Sequence, residues 1–311
     1  MPRAPLGSSG IEVSRLALGS WRTYERLPRA ESVAVMRAAR EAGINFLDDA
    51  RYNDETGNAP LRTGYSEIVF GEVFRASGWD REQIVLANKL WWEFWPREDA
   101  AEELDGSLRR MGMDRVDLIY SERPPQGLTM SDLVGQVGKL LKAGKARAWG
   151  VLNYPPALLV EATEAARRAG VPPPCATQLA YSLAFRRDVE DPAQEAALRK
   201  AGAGVVASYV LQGGTLTGKY ADPNAKGRMA GKLDDERSQA GIALAPKLRA
   251  FAARIGAAPS AVAIAFALLN PNVATVLFGA TSPAQVAENV VALEVLNRLD
   301  QKTAAELRAL T

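Results

Sequence analysis

The sequence predicts a single α/β domain over residues 1–311, a (β/α)8 barrel of the TIM type with an N-terminal β-hairpin. Short β-branched runs alternate with amphipathic stretches rich in alanine, leucine and arginine, which is typical of βα units around a parallel sheet. Eight such runs follow one another without a break in composition. No G-x-G-x-x-G turn follows an early strand, so the closed barrel is preferred to a doubly wound open sheet.

The predicted elements alternate in chain order. The eight strands are Leu16–Gly19, Ile44–Asp48, Gln83–Lys89, Val116–Tyr120, Arg147–Leu152, Ala176–Leu179, Gly204–Ser208 and Val273–Phe278. Helices with apolar residues three and four apart lie between them, as in Arg29–Ala42, Ala100–Met111 and Ser131–Lys142. Before the first strand, Leu6–Leu18 is predicted to form a hairpin that turns at Ser9 and Gly10 and closes the bottom of the barrel.

Two long polar segments, Asn53–Gly64 and Ala221–Gln239, follow the second and seventh strands. The carboxyl ends of the strands carry the chemistry of such a barrel, so these segments are expected to be mobile covers of that face.

Composition excludes several classes of function. The net charge of +2 gives no bulk attraction for nucleic acid or an anionic membrane, and no apolar run is long enough to span a bilayer. The start of the chain lacks the apolar core of a signal peptide, and the one cysteine, Cys175, fits a reducing compartment. Because the chain has no histidine and no clustered cysteines, a metal site is not expected. We therefore expect a soluble, cytoplasmic protein that acts on a small molecule.

Four polar residues end or follow strands at the predicted barrel mouth: Asp48, Tyr52, Lys89 and Glu122. A lysine held beside a carboxylate and a tyrosine can lower the phenol pKa and make the tyrosine a proton donor. From the spacing alone, a structural ion pair between Asp48 and Lys89 explains the pattern equally well.

The chain resembles the aldo-keto reductase superfamily over nearly its whole length. The matching segments, in family order, are Leu6–Trp21, Asn45–Asp48, Ser66–Gly71, Lys89, Gly144–Asn153, Gln178, Leu211–Tyr220 and Phe278–Asn289. The last segment is most similar to the potassium-channel β-subunit branch. The resemblance implies that Asp48, Tyr52, Lys89 and Glu122 are catalytic and that NADPH is the cofactor.

The resemblance also implies the cofactor-binding residues. They are Ser20, Trp21, Asp48, Asn153, Gln178, Tyr209, Leu211, Gly213, Lys219, Arg228, Gly279, Thr281, Gln285, Glu288 and Asn289. The last segment fits this role physically, because a helix start near Thr281 favours a phosphate. A plain helix cap with a solvated face is the alternative. The preference for NADPH over NADH rests on the family, with Lys219 and Arg228 as candidates for the 2′-phosphate.

Glu122 stands where the family carries its catalytic histidine. Steroid 5β-reductases of the same superfamily also carry a glutamate at this position. A carboxyl pushed toward its neutral form in a dry pocket can donate a hydrogen bond to an enone oxygen. Carbonyl reduction, enone reduction and weak or absent catalysis therefore all stay open. A nucleotide-sensing interaction protein that binds NADPH with little turnover is the alternative function.

Two further departures concern aromatic residues. Tyr52 lies four residues after Asp48, whereas the family spacing is five, a position that Asn53 occupies; Tyr65 is the competing proton donor. The family's nicotinamide-stacking aromatic falls on Ser208, so either Tyr209 stacks after a small backbone shift or the stacking is lost.

The loop after Lys89 is rich in aromatic residues. Trp91 and Trp92, together with Trp21, are candidates for the wall of the substrate pocket. Packing between loops, or against a second subunit of a homo-oligomer, is the alternative.

Overall fold

Eight parallel strands close into a barrel in a computed structural model that describes residues 1–222, 224–225, 229 and 233–310. The strands are β3 (Leu16–Gly19), β4 (Phe46–Asp48), β5 (Val85–Leu90), β6 (Val116–Ser121), β7 (Ala146–Leu152), β8 (Ala176–Ala180), β9 (Gly204–Ser208) and β10 (Val273–Phe278). Each pairs with the next along the chain, and β10 pairs with both β9 and β3. The predicted (β/α)8 barrel is confirmed, with strand limits within two residues of the prediction.

The N-terminal hairpin consists of β1 (Arg3–Pro5) and β2 (Glu12–Ser14), paired antiparallel. The predicted span of Leu6–Leu18 was wrong at both ends, because the first hairpin strand begins at Arg3 and the last residues of that span belong to β3. The turn does contain Ser9, whose Oγ donates to the Leu6 carbonyl at 2.7 Å.

The hairpin lies at the bottom of the barrel. It joins a cluster of buried residues that continues up the barrel interior: Leu6, Ile11, Val13, Ala17, Phe46, Val85, Ala87, Leu118, Tyr120, Ala148, Cys175, Ala176, Val206 and Ala274. Hairpin and strand residues thus share one apolar cluster, which closes the end of the barrel away from the strand C-termini.

Helices surround the barrel. They are α1 (Arg29–Glu41), α2 (Tyr65–Ser77), α3 (Ala100–Met111), α4 (Met130–Lys142), α5 (Pro156–Arg168), α6 (Arg187–Glu190), α7 (Pro192–Ala201), α8 (Glu236–Arg254), α9 (Pro259–Leu268), α10 (Pro283–Val290), α11 (Ala292–Arg298) and α12 (Gln301–Arg308). Local signals set their limits. In α3, for example, Asp99 and Glu102 form a capping box at the start and Gly112 ends the helix at φ 67°.

One glycine shapes the interior beneath the strand ends. A Cβ on Gly150 would lie 2.6 Å from the Ala176 carbonyl oxygen and 3.1 Å from the Tyr120 ring. The missing side chain therefore leaves room for the Tyr120 ring, which is fully buried in the barrel.

No single helix in the part of the chain that the structure describes is both long and apolar enough to cross a membrane. Helices α8 and α9 reach that length and composition only when joined across a bend of 94°. Residues 260–268 of this pair are buried inside the protein.

Candidate functional site

A lysine ammonium lies between a carboxylate and a phenol at the C-terminal end of the barrel. Lys89 Nζ donates to Asp48 Oδ1 at 2.5 Å and to the Tyr52 hydroxyl at 3.3 Å. Gln178 Nε2 donates to Asp48 Oδ2 at 3.0 Å, so both carboxylate oxygens are held. Asp48 and Lys89 are almost completely buried.

The strand register explains this meeting. Asp48, the last residue of β4, lies beside Ala87 of β5. Lys89 is two residues further along and therefore faces the same side of the sheet. Both side chains point into the barrel near the strand ends, so the two predicted strands bring Asp48 and Lys89 together.

Tyr52 is the tyrosine that reaches Lys89. A tight turn after β4 brings it there: its backbone N–H donates to the Ala50 carbonyl at 2.8 Å and to Ser66 Oγ at 3.3 Å. Tyr65 begins α2 and lines a separate, smaller cavity that Tyr52 also borders. The structure therefore places Tyr52, and not Tyr65, against the lysine.

A cleft of about 660 Å³ extends from this group to the N-terminus of α10. The predicted site residues that line it are Trp21, Asp48, Tyr52, Lys89, Trp91, Asn153, Gln178, Tyr209, Leu211, Gly213, Lys219, Gly279, Thr281, Gln285, Glu288 and Asn289. Ser20, Trp92 and Glu122 do not line it, and Arg228 lies outside the described residues. Its size suits a dinucleotide with a small substrate.

The turn after β9 borders the middle of the cleft and depends on glycine. Gly213 and Gly214 have φ angles of 64° and 99°, and a Cβ on Gly213 would lie 2.3 Å from Met229 Cγ. The Lys219 side chain packs beside Gly214. Exposed peptide groups with an ammonium beside them fit a diphosphate.

The far end of the cleft is formed by the start of α10. Ser282 caps the helix by accepting the Gln285 N–H, and Gln285 Oε1 accepts the Thr281 N–H at 2.8 Å. Ser260, at the start of α9, donates to Glu288. Sequence reasoning missed Ser260, because no motif surrounds it and only the packing of α9 against α10 brings it to the cleft.

Two non-glycine residues of the cleft have left-handed backbone conformations. Asn153 follows β7 at φ 54° and Tyr209 follows β9 at φ 57°. Such conformations cost free energy and cluster at functional sites. Tyr209 lines the cleft next to Ser208, which occupies the family's aromatic position.

The Glu122 side chain does not lie among the substrate-contacting groups, where the sequence predicted it. It follows β6, but its Oε1 accepts the backbone N–H of Arg123 at 3.0 Å, and the side chain does not line the cleft. Strand β6 ends at Ser121, so the Arg123 N–H lies beyond the strand and is free to donate to the Glu122 side chain.

Trp92 also departs from the prediction of a pocket wall. Its side chain is buried, its indole N–H donates to Ser121 Oγ at 3.0 Å, and its ring meets that of Trp95 edge-on at 6.1 Å. It is therefore a packing residue. Trp91 does line the cleft, with its ring centroid 6.1 Å from that of Tyr52.

Ser20 contacts a buried acid instead of the cleft. Its hydroxyl donates to Asp49 Oδ1, and Asp49 Oδ2 has no hydrogen-bond partner among the described residues. Burial, with a further contribution from Glu67, raises the pKa of Asp49 well above its ordinary value. Asp49 therefore favours its neutral form.

In Asp49→Asn we expect the melting temperature to fall less than in the wild type as the pH rises from 5 to 8. When the pKa of a carboxyl is higher in the folded than in the unfolded state, its contribution to stability is complete below the unfolded pKa of about 4. That contribution is lost as pH rises through the folded-state pKa. Melting temperatures measured across this range test the prediction. The control is Asp54→Asn, since hydrogen bonds from Thr56 lower the pKa of Asp54. Equal losses in Asp49→Asn and the wild type would contradict the prediction.

Comparison with known proteins relates the whole chain to one family by sequence. The model of the aldo/keto reductase family matches residues 15–311. A probable voltage-gated potassium channel subunit beta of Oryza sativa subsp. japonica is 31% identical over 319 residues, covering 98% of this chain and 94% of the relative. A putative voltage-gated potassium channel subunit beta of Schizosaccharomyces pombe is 30% identical over 316 residues, covering 94% of this chain and 88% of the relative.

Proposed function

Since the chain belongs to the aldo/keto reductase family, we propose that it is an NADPH-dependent oxidoreductase that reduces an aldehyde, a ketone or the activated C=C bond of an enone. The observation that carries this proposal is the position of Lys89 Nζ between Asp48 and Tyr52 at the base of the cleft. An ammonium so placed stabilises the phenolate that remains when the tyrosine gives up its proton.

The cleft residues fit the cofactor from end to end. The side-chain amides of Asn153 and Gln178 would hold the nicotinamide carboxamide beside the catalytic group, and the glycine turn with Lys219 would hold the diphosphate. Gln285, Glu288 and Asn289 would hold the adenosine end. The preference for NADPH over NADH rests on the family, because a lysine at the diphosphate does not distinguish the two cofactors.

When bound, the nicotinamide supplies a hydride to the substrate carbon. In carbonyl reduction the two electrons of the C=O π bond move onto oxygen, and Tyr52 gives that oxygen its phenolic proton. Lys89 stabilises the resulting phenolate, while Asp48 holds the ammonium in place. Gln178 orients Asp48 through its second oxygen.

The substrate end of the cleft favours a flat, apolar molecule. Trp21, Trp91 and Tyr52 provide aromatic surfaces there, and the Arg22 guanidinium lies 4.6 Å from the centroid of the Trp21 ring. Aromatic walls with a few polar groups suit such ligands.

Incubation with NADPH and a panel of aldehydes, quinones and enones tests the function directly. We expect loss of the nicotinamide absorbance with at least one class. No loss across the panel, with an enzyme that binds NADPH, would reject the reductase proposal.

A cofactor-binding subunit with little turnover is the second candidate. Two observations favour it: the names of the two relatives, and the Glu122 carboxylate, which accepts a backbone N–H outside the cleft. Tight binding of NADPH, measured by fluorescence, together with turnover at the background rate would support this candidate.

Glu122→His is expected to raise the ratio of carbonyl to alkene reduction on an enone by about tenfold, because an imidazole without the carboxylate oxygen that accepts the Arg123 N–H can turn toward the cleft and donate to a carbonyl oxygen. Glu122→Gln, which keeps the shape and an acceptor for the Arg123 N–H, is the control and should change the ratio little. Product analysis by chromatography gives the ratio. The same ratio in wild type and Glu122→His would exclude a role for this position in substrate orientation.

A further inference from the structure

Arg51 lies one residue before Tyr52 and is almost completely buried, with 4% of its surface exposed. Its guanidinium donates to Glu103 at 2.9 Å and to Glu98 at 3.2 Å. The same group lies 4.6 Å from the centroid of the Phe94 ring. The residue next to the proposed proton donor is thus held on several sides.

Glu103 of α3 is its buried partner and binds two more groups. Its Oε1 accepts the backbone N–H of Trp91 at 2.9 Å, and its Oε2 accepts that of Trp92 at 3.1 Å. Trp91 is two residues after Lys89 and borders the cleft. One carboxylate therefore joins the segment that carries Tyr52 to the segment that carries Lys89.

The same network reaches a third strand end. Trp92, whose φ is 59°, donates through its indole N–H to Ser121 Oγ at 3.0 Å. Ser121 Oγ in turn donates to the Glu122 carbonyl at 2.9 Å. The ends of β4, β5 and β6 are thereby linked through side chains outside the cleft.

We propose that Arg51 and Glu103 form a positioning pair that sets the distance between the Tyr52 hydroxyl and Lys89 Nζ and the place of the Trp91 ring. The inference rests on the proposed reductase function for its catalytic consequence. Buried ion pairs are by themselves weak evidence of stabilisation. The pair fixes geometry through a planar guanidinium and a carboxylate whose two oxygens are both bonded, a combination that lysine cannot reproduce.

The chain offers a matched control at the opposite end of the strands. Arg81, just before β5, pairs with the buried Asp117 at 2.8 Å, and Asp117 also accepts a backbone N–H, that of Leu86 at 2.9 Å. In both pairs the arginine Nε has no hydrogen-bond partner in the described part of the chain. Arg81→Met removes an arginine–aspartate pair at the end of the strands away from Tyr52, where Arg147 still pairs with Asp117 at 2.9 Å.

The experiment compares Arg51→Met, Arg51→Lys, Glu103→Gln and Arg81→Met with the wild type. In the first three we expect kcat to fall about ten- to a hundredfold, because a misplaced catalytic group slows the reaction. The dissociation constant for NADPH should be unchanged. Arg81→Met should lower the melting temperature and leave kcat unchanged. Wild-type kcat in a folded Arg51→Met protein would overturn the inference.

The pH profile separates displacement from direct charge effects. Reduction needs the Tyr52 proton, so activity falls as pH rises through the phenol pKa. Loss of the Glu103 charge would by itself lower that pKa, whereas movement of the phenol away from Lys89 raises it. A positioning pair therefore predicts that Glu103→Gln shifts the alkaline limb upward, by about one pH unit. A downward shift would overturn the proposal.

Ultraviolet titration of the phenol gives the same comparison without turnover. The Tyr52 signal is obtained by subtracting the titration of each protein that also carries Tyr52→Phe. If the wild type reduces no carbonyl or enone, the proposed function fails, and this titration still tests the positioning pair. An upward shift in Glu103→Gln supports the pair, and a downward or absent shift overturns it.

Discussion

Tyr52→Phe is expected to lower kcat for carbonyl reduction by about 10²- to 10⁴-fold, the range that a positioned general acid contributes. The phenol hydroxyl is 3.3 Å from Lys89 Nζ and borders the cleft, so its loss removes the proposed proton source. The ring remains, and its packing against Trp91 should preserve the pocket. Steady-state kinetics and NADPH fluorescence titration measure the two effects, with an unchanged dissociation constant expected.

Tyr65→Phe is the matched control, because Tyr65 was the competing proton donor on sequence grounds. It lines the smaller cavity and not the cleft with Lys89. We expect its kcat to stay within about threefold of the wild type, since it supplies no proton in the reaction. If Tyr65→Phe abolished turnover and Tyr52→Phe did not, the assignment of the proton donor would be reversed.

Asp48→Asn is expected to lower the free energy of unfolding by about 3–5 kcal/mol, the usual result of removing one partner of a buried ion pair. Asp48 and Lys89 side chains are each 2% exposed, so solvent screens the remaining ammonium poorly. An unpaired buried lysine has a depressed pKa, and the unfolded chain then binds more protons. The defect should therefore shrink as pH rises toward the ordinary lysine pKa of about 10.4.

Denaturant unfolding across this pH range measures the effect. Glu82→Gln is the control, because Glu82 and its partner Arg115 form an exposed pair, with side chains 68% and 37% exposed. Exposed pairs contribute about 0–1 kcal/mol. A similar small loss in Asp48→Asn would show that the buried pair does not stabilise the fold.

The barrel could be predicted because its signals are local. Eight apolar runs with helical stretches between them define βα units, and parallel βα units in this number close on themselves. Asp48 and Lys89 could be paired for the same reason: both come at the end of a strand, and side chains alternate along strands with a period of two. The glycine turn before Lys219 and the helix start near Thr281 also carry local chemistry.

The remaining site depended on how loops leave the strands. A polar segment separates Tyr52 from Tyr65, and the sequence does not specify its path. The spacing therefore could not decide which phenol contacts Lys89. Trp91 and Trp92 are adjacent and chemically alike, yet the left-handed backbone of Trp92 goes with a ring inside the protein, whereas that of Trp91 borders the cleft.

By itself, then, the sequence determined the barrel, its hairpin and the residues that strand periodicity brings to one mouth. Tertiary structure alone decided the place of the Glu122 carboxylate and the link from Arg51 through Glu103 to the next loop. The physical reason is that periodicity is a property of neighbouring residues, whereas Arg51 and Glu103 are about fifty residues apart and meet only because of the loop conformations. The direction of the Glu122 side chain likewise depends on the path of the loop after β6.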